Sequence, residues 1–276
     1  MNKIEKLIAE KGYLIADGAT GTNLFSMGLD SGHPPELWNI EFPERIYLNH
    51  QNFVDAGSDL ILTNTFGANR FRLALHKAEN QVHELNLAGA SIARKVADLS
   101  ERTVLVAGSI GPTGEIFEPL GTLSKAEAES AFTDQAIALK EAGVDLAWIE
   151  TMSSQEEMES AIVASKNVGL PIVCTYSFDT HGKSMMGLEP KELVKLAEEH
   201  SPEIMGYGAN CGIGAAELIG SILCLVKSRK NHASNLKSFQ IKIIKLVPVT
   251  MTLTDTVFRI NPSRKCIPFQ LTILSP

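Results

Sequence analysis

Short apolar runs alternate with longer amphipathic segments along most of this chain, and each apolar run ends in a polar or glycine-rich turn. Short runs rich in Val, Ile and Leu are typical of buried strands, whereas apolar residues spaced three and four apart are typical of helices. The pattern predicts six strands, over residues 13–16, 58–63, 103–107, 144–149, 171–176 and 204–208. A helix is predicted after each strand, over 43–56, 81–99, 124–142, 154–168, 190–200 and 215–226.

The boundaries between predicted helices and strands repeat the same local chemistry. Segments 55–59 (DAGSD) and 141–145 (EAGVD) each combine a helix end, a glycine C-cap and a strand start. Ser124 and Ser154 are predicted N-caps, each with a glutamate three residues later. Six such units predict an α/β protein, a (β/α)8 barrel of the TIM type with its last two units divergent or incomplete. A doubly wound open sheet is the alternative, but no Gly-x-Gly-x-x-Gly turn follows the first strand.

Composition is consistent with one barrel domain, because such a domain needs about 250 residues and this chain has 276. The net charge of −7 argues against nucleic acid and anionic membranes as partners. No apolar run reaches the roughly 18 residues of a membrane span, and the N-terminus has no signal-peptide pattern, so we expect a cytoplasmic location. The four cysteines do not form a disulfide framework in a chain of this length.

The composition changes after about Val226. Residues 227–276 contain nine Lys and Arg but a single acidic residue, Asp255, and all 21 glycines of the chain lie at or before Gly220. Tight turns of a parallel barrel use glycine, so this segment does not look like further barrel units. We therefore predict a barrel over 1–226 and a divergent tail of unclear structure over 227–276, produced by a change in the reading frame or the gene.

Polar groups follow the first two predicted strands, at the end where parallel β/α proteins build their active sites. Asp17 is either a turn former or a functional carboxylate. After it, the backbone N–H groups of Gly18-Ala19-Thr20 would face an anion such as a carboxylate. Asn64 and Thr65 either close the second strand or orient a small polar substrate.

Two later strand ends present more reactive side chains. Glu150 follows the apolar run 146–149, and because a carboxylate buried there without a partner is costly, we interpret it as functional, with an ammonium group as its natural partner. Cys211 is either a small buried residue or a ligand for a soft metal. Zinc needs three or four ligands, so one cysteine alone does not define a site.

Five motifs occur in one order along the chain: DGATGT (17–22), ILTNTFGANR (61–70), SIGPTG (109–114), WIETM (148–152) and GANCG (208–212). Together they resemble the homocysteine S-methyltransferase family, which includes the homocysteine-binding module of cobalamin-dependent methionine synthase. The resemblance extends over about residues 5–226. It implies a (β/α)8 barrel with one zinc ion held by three cysteine thiolates and by the homocysteine sulfur, which attacks a methyl group to give methionine.

The resemblance also implies roles for individual residues. Glu150 would hold the amino group of homocysteine, and Asp17 with Gly18-Ala19-Thr20 would hold its polar end. Cys211 matches the first zinc ligand. The pocket would be lined by Asn64, Thr65 and Ser109. The methyl donor would be a small methylated compound or a separate corrinoid protein, and corrinoid or folate would act only through a separate domain or protein.

The sequence departs from the family pattern at the other two zinc ligands. The family supplies them as an adjacent Cys-Cys pair in a glycine-rich turn, and this chain contains no Cys-Cys pair. A non-catalytic or truncated barrel that at most binds a small amino acid is therefore the alternative function. Another barrel enzyme, such as a lyase, is a third possibility, but no lysine lies at a predicted strand end.

Overall fold

The structure is a computed structural model that describes residues 3–212, 214–232, 244–245, 256–259 and 270–273. Its helices are α1 (Lys3–Lys11), α2 (Thr20–Ser26), α3 (Trp38–Glu41), α4 (Pro43–Asp55), α5 (Arg70–Ala74), α6 (Val82–Leu99), α7 (Lys125–Glu141), α8 (Gln155–Asn167), α9 (Pro190–Glu199) and α10 (Ala215–His232). Its strands are β1 (Leu60–Leu62), β2 (Leu105–Ile110), β3 (Leu146–Met152), β4 (Ile172–Tyr176), β5 (Ile204–Asn210), β6 (Ile244–Lys245), β7 (Thr256–Arg259) and β8 (Gln270–Ile273). None of these described helices is both long enough and apolar enough to cross a bilayer.

Six of the strands form one parallel sheet, in chain order from β1 to β6. In the centre of the sheet, Ala107 of β2 lies beside Leu146 of β3, and Ile149 of β3 lies beside Cys174 of β4. Parallel neighbours joined by helices are the repeating unit of β/α folds. The predicted α/β class with a parallel sheet is therefore confirmed.

The strand predicted at 13–16 is wrong as a regular strand, because only Ala16 forms a bridge to β1. Carboxylates replace part of the backbone ladder here. Asp59 Oδ2 accepts the N–H of Ile15 at 3.0 Å, and Asp17 Oδ2 accepts an N–H of β1 at 2.8 Å. The segment thus lies beside β1, as predicted, but side chains make hydrogen bonds that a strand would make with its backbone.

The two faces of the sheet are buried against different partners. The outer face packs against the long helices through residues such as Ile61, Val106 and Ile149. The inner face packs against α1. Its contact layer contains the inner residues Leu60, Leu62, Leu105, Ala107, Leu146, Trp148 and Val173, and the α1 residues Ile4, Leu7 and Ile8.

Ion pairs place α1 at the amino ends of the strands. Lys3 pairs with Asp145, directly before β3, and Lys11 pairs with Asp59, directly before β1. Because α1 also contributes apolar side chains to the inner layer, it closes the sheet interior at that end. The opposite, carboxyl end of the strands therefore remains for a ligand site.

The predicted helix ends are confirmed at several positions. Ser124 forms a capping box, in which its Oγ accepts the Glu127 N–H and the Glu127 carboxylate accepts the Ser124 N–H. Gly57 and Gly143 have φ angles of +105° and +82°, the left-handed conformation expected of a glycine after a helix. Ser154 also caps its helix, through a hydrogen bond from the N–H of Glu157.

The last part of the chain differs from the first five units. Helix α10 continues to His232, so the predicted boundary at 226 falls inside a helix. β6 pairs in parallel with the end of β5, whereas β7 and β8 pair with each other in antiparallel fashion. The division into two regions stays a prediction, and Cys266 lies outside the described residues.

Candidate functional site

The carboxyl ends of the central strands bring predicted site residues to one edge of the sheet. Ser109 continues the inner-face series of β2 after Leu105 and Ala107, and Glu150 continues the series of β3 after Trp148. Strand residues two apart face the same side. Ser109 and Glu150 therefore lie above the apolar layer that α1 closes from below.

Glu150 is a buried carboxylate with a defined direction. It is 4% exposed, and Ser109 Oγ donates a hydrogen bond of 2.6 Å to Glu150 Oε1. The register between β3 and β4 shifts between Ile149 and Met152, which is the type of irregularity that re-aims side chains near active sites. A buried carboxylate is stable when it is hydrogen-bonded or paired with a cation. This arrangement can accept the ammonium group of a small ligand.

Thr65 contacts Ser109, whereas Asn64 contacts Asn39, and both make hydrogen bonds within the protein. Thr65 Oγ1 donates to the Ser109 carbonyl at 2.8 Å, and Thr63 Oγ1 accepts the Ser109 N–H at 2.9 Å. Asn64 Nδ2 donates to Asn39 Oδ1 at 2.9 Å. The two threonine bonds brace the ends of β1 and β2 around Ser109, whereas the Asn64 bond ties the end of β1 to α3. Contact of Asn64 or Thr65 with a ligand stays a prediction.

Asp17 lies at the same edge, next to a helix that the sequence pattern did not reveal. It is 4% exposed and accepts the N–H of Leu62. The chain then passes through Gly18 and Ala19 into α2, whose first residue is Thr20. The predicted glycine-rich turn is thus the start of a short helix, and the binding of an anion by its N–H groups stays a prediction.

Asn210 connects three strand ends at this edge, although sequence reasoning did not select it. Its Oδ1 atom accepts the N–H of Thr151 at 3.0 Å and the Oγ1–H of Thr175 at 2.7 Å. Its Nδ2 atom donates to Thr151 Oγ1 at 2.6 Å and to Cys211 Sγ at 3.4 Å. The predicted ligand Cys211 is therefore held close to Thr151, the residue that follows Glu150.

Two buried glutamates outside the predicted set hold the loops that follow β1 and β2. Glu36 accepts the N–H of Gly67 at 2.6 Å, and Glu157 accepts both the N–H and the Oγ1–H of Thr113. Burial raises the pKa of both carboxyls, and the hydrogen bonds partly offset that increase. The sequence offered one signal, the position of Glu157 three residues after Ser154, but that signal predicted a helix cap.

The described residues do not supply a zinc site of three cysteines. No three His, Cys, Asp or Glu side chains in the part of the chain that the structure describes are grouped as metal ligands. Cys174 is buried on the outer face of β4, and burial raises its pKa to about 12. Cys224 is exposed on α10, beside a surface cleft of about 440 Å³ between α9 and α10. Of the described cysteines, Cys211 alone lies at the candidate site.

A family model described as homocysteine S-methyltransferase matches residues 14–245, which is most of the chain. The fold, the site and this match define the class of protein: the chain belongs to the homocysteine S-methyltransferase family.

Among individual proteins, the chain is 28% identical to methionine synthase from Mycobacterium tuberculosis over 222 residues, which cover 74% of this chain and 18% of that protein. It is 27% identical to methionine synthase from Mycobacterium leprae over 222 residues, with the same coverage. The chain thus spans about a fifth of the length of the curated relatives that it matches.

Solved structures support the architecture. The homocysteine methyltransferase MmuM from Escherichia coli, in its metallated form, matches with a TM-score of 0.71 and 21% identity, over 90% of this chain and 96% of that chain. Its oxidized form matches with a TM-score of 0.70 and 23% identity, over 91% and 96%. At this identity the likeness establishes the fold, and the predicted TIM-type barrel is confirmed.

Proposed function

We propose that this chain binds homocysteine at the carboxyl ends of its strands and takes part in methyl transfer to the homocysteine sulfur, which gives methionine. The observation on which the proposal depends is the buried Ser109–Glu150 pair at that edge in a member of this family. A carboxylate in this position suits the ammonium group of an amino acid.

The other residues of the edge have supporting roles in this proposal. Asp17 and the backbone of Gly18-Ala19-Thr20, at the start of α2, would hold the polar end of the amino acid. Thr65 keeps Ser109 in place through its hydrogen bond to the Ser109 carbonyl, and Asn64 ties the end of β1 to Asn39. The acceptor sulfur would then lie towards Cys211, at the end of β5.

Neither zinc nor the identity of the methyl donor carries a step in this proposal. Family membership implies zinc, and the metal would make the homocysteine thiol a thiolate. The described residues offer one thiol, Cys211, at the site, so they do not fit a three-cysteine zinc centre and we derive no step through the metal. The donor is either a small methylated compound or a separate corrinoid protein.

The binding proposal is tested by calorimetry with reduced L-homocysteine. A hydrogen-bonded ion pair of this kind contributes about 1.5–3 kcal/mol, so Glu150→Gln should weaken homocysteine binding by roughly 10- to 100-fold. The matched ligand is 4-mercaptobutanoate, which has the same thiol and carboxylate but no ammonium group. Its affinity should change little in the same variant.

Two outcomes would contradict the assignment of Glu150. One is an equal loss of affinity for both ligands, and the other is no binding of homocysteine by the wild-type chain. Ser109→Ala serves as the control for orientation, because it retains the carboxylate and removes the hydroxyl that donates to it; we expect a smaller loss than in Glu150→Gln. Zinc per chain, measured on the wild type and on Cys211→Ser, tests the metal separately.

A further inference from the structure

The side chain of Asn210 uses its full hydrogen-bonding capacity at the candidate site. A primary amide has two N–H donors and two acceptor lone pairs. Here both lone pairs accept bonds, from Thr151 N–H and Thr175 Oγ1–H, and the amino group donates to Thr151 Oγ1 and Cys211 Sγ. The residue is fully buried, so these bonds define one orientation of the amide, with its N–H groups directed at Thr151 and Cys211.

The two residues that receive these N–H groups both have unusual backbones. Thr151 has φ +65° and Cys211 has φ +56°. The left-handed region is uncommon for residues other than glycine and is an outlier for a β-branched residue such as threonine. Strained residues of this kind persist where the surroundings hold them, and they cluster at functional sites. The bonds from Asn210 are a local cause that holds both conformations.

We propose that Asn210 is a positioning residue for the sulfur end of the substrate, acting through Thr151 and Cys211. This inference rests on the proposed function. By fixing Cys211 Sγ and the peptide that follows Glu150, Asn210 sets the distance between the anchor for the ammonium group and the place where the substrate sulfur lies. An error in that distance affects ligands that contain sulfur and leaves the amino-acid end bound.

The test compares two ligands in one variant. Asn210→Asp has nearly the same shape but lacks the two N–H donors that reach Thr151 and Cys211. We measure binding of L-homocysteine and of L-2-aminobutyrate, which has the same amino-acid end without the sulfur. Loss of the donors should weaken homocysteine binding by about tenfold or more, and 2-aminobutyrate binding by less than about threefold.

A second pair of variants repeats the test if Asn210→Asp does not fold. Thr151→Ala removes the hydroxyl that orients the Asn210 amide, whereas Thr151→Ser retains it. The ratio of the homocysteine affinity to the 2-aminobutyrate affinity should fall in the alanine variant. In the serine variant it should stay at the wild-type value. Ile162→Val, a buried change in α8 away from the site, controls for general loss of stability.

The outcomes separate this inference from the proposed function. If the wild type binds both amino acids and the variants weaken both equally, Asn210 is merely structural and the positioning role is wrong. If the wild type binds neither amino acid, the proposed function is wrong, and the positioning role fails with it. A loss of affinity for homocysteine without a matching loss for 2-aminobutyrate supports both the positioning role of Asn210 and the proposed function.

Discussion

Replacing Glu157 with glutamine should change the pH dependence of stability in a definite direction. The residue is 4% exposed, and its Oε1 atom accepts the N–H of Thr113 at 2.8 Å and the Oγ1–H of Thr113 at 2.5 Å. Burial raises its pKa above the ordinary value of 4.5, and the two hydrogen bonds offset part of that increase. The folded protein therefore holds the proton of Glu157 more tightly than the unfolded chain does.

The sign and size of the effect follow from this difference. Because the folded pKa is raised, the proton on Glu157 contributes stability that is fully present below pH 4.5 and is lost as the pH rises through the folded pKa. Within that window the wild type loses up to about 1.4 kcal/mol of unfolding free energy per pH unit from this group. Glu157→Gln has no titrating group there. We expect it to be about 1–3 kcal/mol less stable than the wild type in acid, because a buried amide N–H without a partner is costly, and the deficit should shrink as the pH rises.

Urea unfolding at several pH values from about 4.5 to 7.5 measures the unfolding free energy of Glu157→Gln and of the wild type, and the deficit is the difference between them. Glu127→Gln is the matched control, since Glu127 is exposed and its pKa is lowered by hydrogen bonds from Ser124. Its contribution is present above the ordinary pKa of 4.5 and is lost only as the pH falls below that value through the folded pKa, so the Glu127→Gln deficit should stay nearly constant over this range. A Glu157→Gln deficit that stays constant over the whole range would refute the reasoning.

Two further predictions concern packing. Leu7→Ala, in the α1 face that closes the sheet interior, should lower the unfolding free energy by about 2–4 kcal/mol. The control Glu10→Ala changes an exposed residue of the same helix and should have little effect. Equal losses of unfolding free energy in the two variants, measured by urea unfolding, would contradict the role of α1. Iodoacetamide at about pH 8 should label exposed Cys224 but not buried Cys174 in the folded protein, because burial raises the Cys174 pKa to about 12. Peptide mass spectrometry measures both sites, and labelling of Cys174 without unfolding would contradict the packing of β4.

The long helices and central strands could be predicted because their signals are local. Helices α6 to α9 have apolar spacing with recognisable ends, and β2 to β5 are apolar runs followed by turns. Helices α2 and α5 have seven and five residues, and such short helices depend on tertiary contacts instead of sequence period. The pairing of segment 13–16 through two aspartates could not be predicted either, because it requires β1 to be in place first.

The candidate site shows the same division. Glu150 could be selected because a carboxylate directly after an apolar run is placed by local sequence alone. Asn210 could not be selected in this way, since its four hydrogen bonds depend on the alignment of three strands. For Glu157, the helical spacing to Ser154 was real, but the side chain reaches Thr113 on another loop. That contact requires α8 to pack against β3, the strand that pairs with β2, from which the loop continues.

The site also separates into two parts that come from different strands. Under the proposed function, the anchor for the amino group is built on β2 and β3, by Ser109 and Glu150, whereas the thiol that would face the substrate sulfur follows the end of β5. Asn210 joins these parts, because it holds Thr151, next to Glu150, and Cys211 at the same time. Under the proposed function, substitutions at Glu150 therefore act on every ligand with an ammonium group, and substitutions at Asn210 act on ligands with sulfur. Amino-acid recognition by this chain should consequently survive changes at β5 that abolish its action on the thiol.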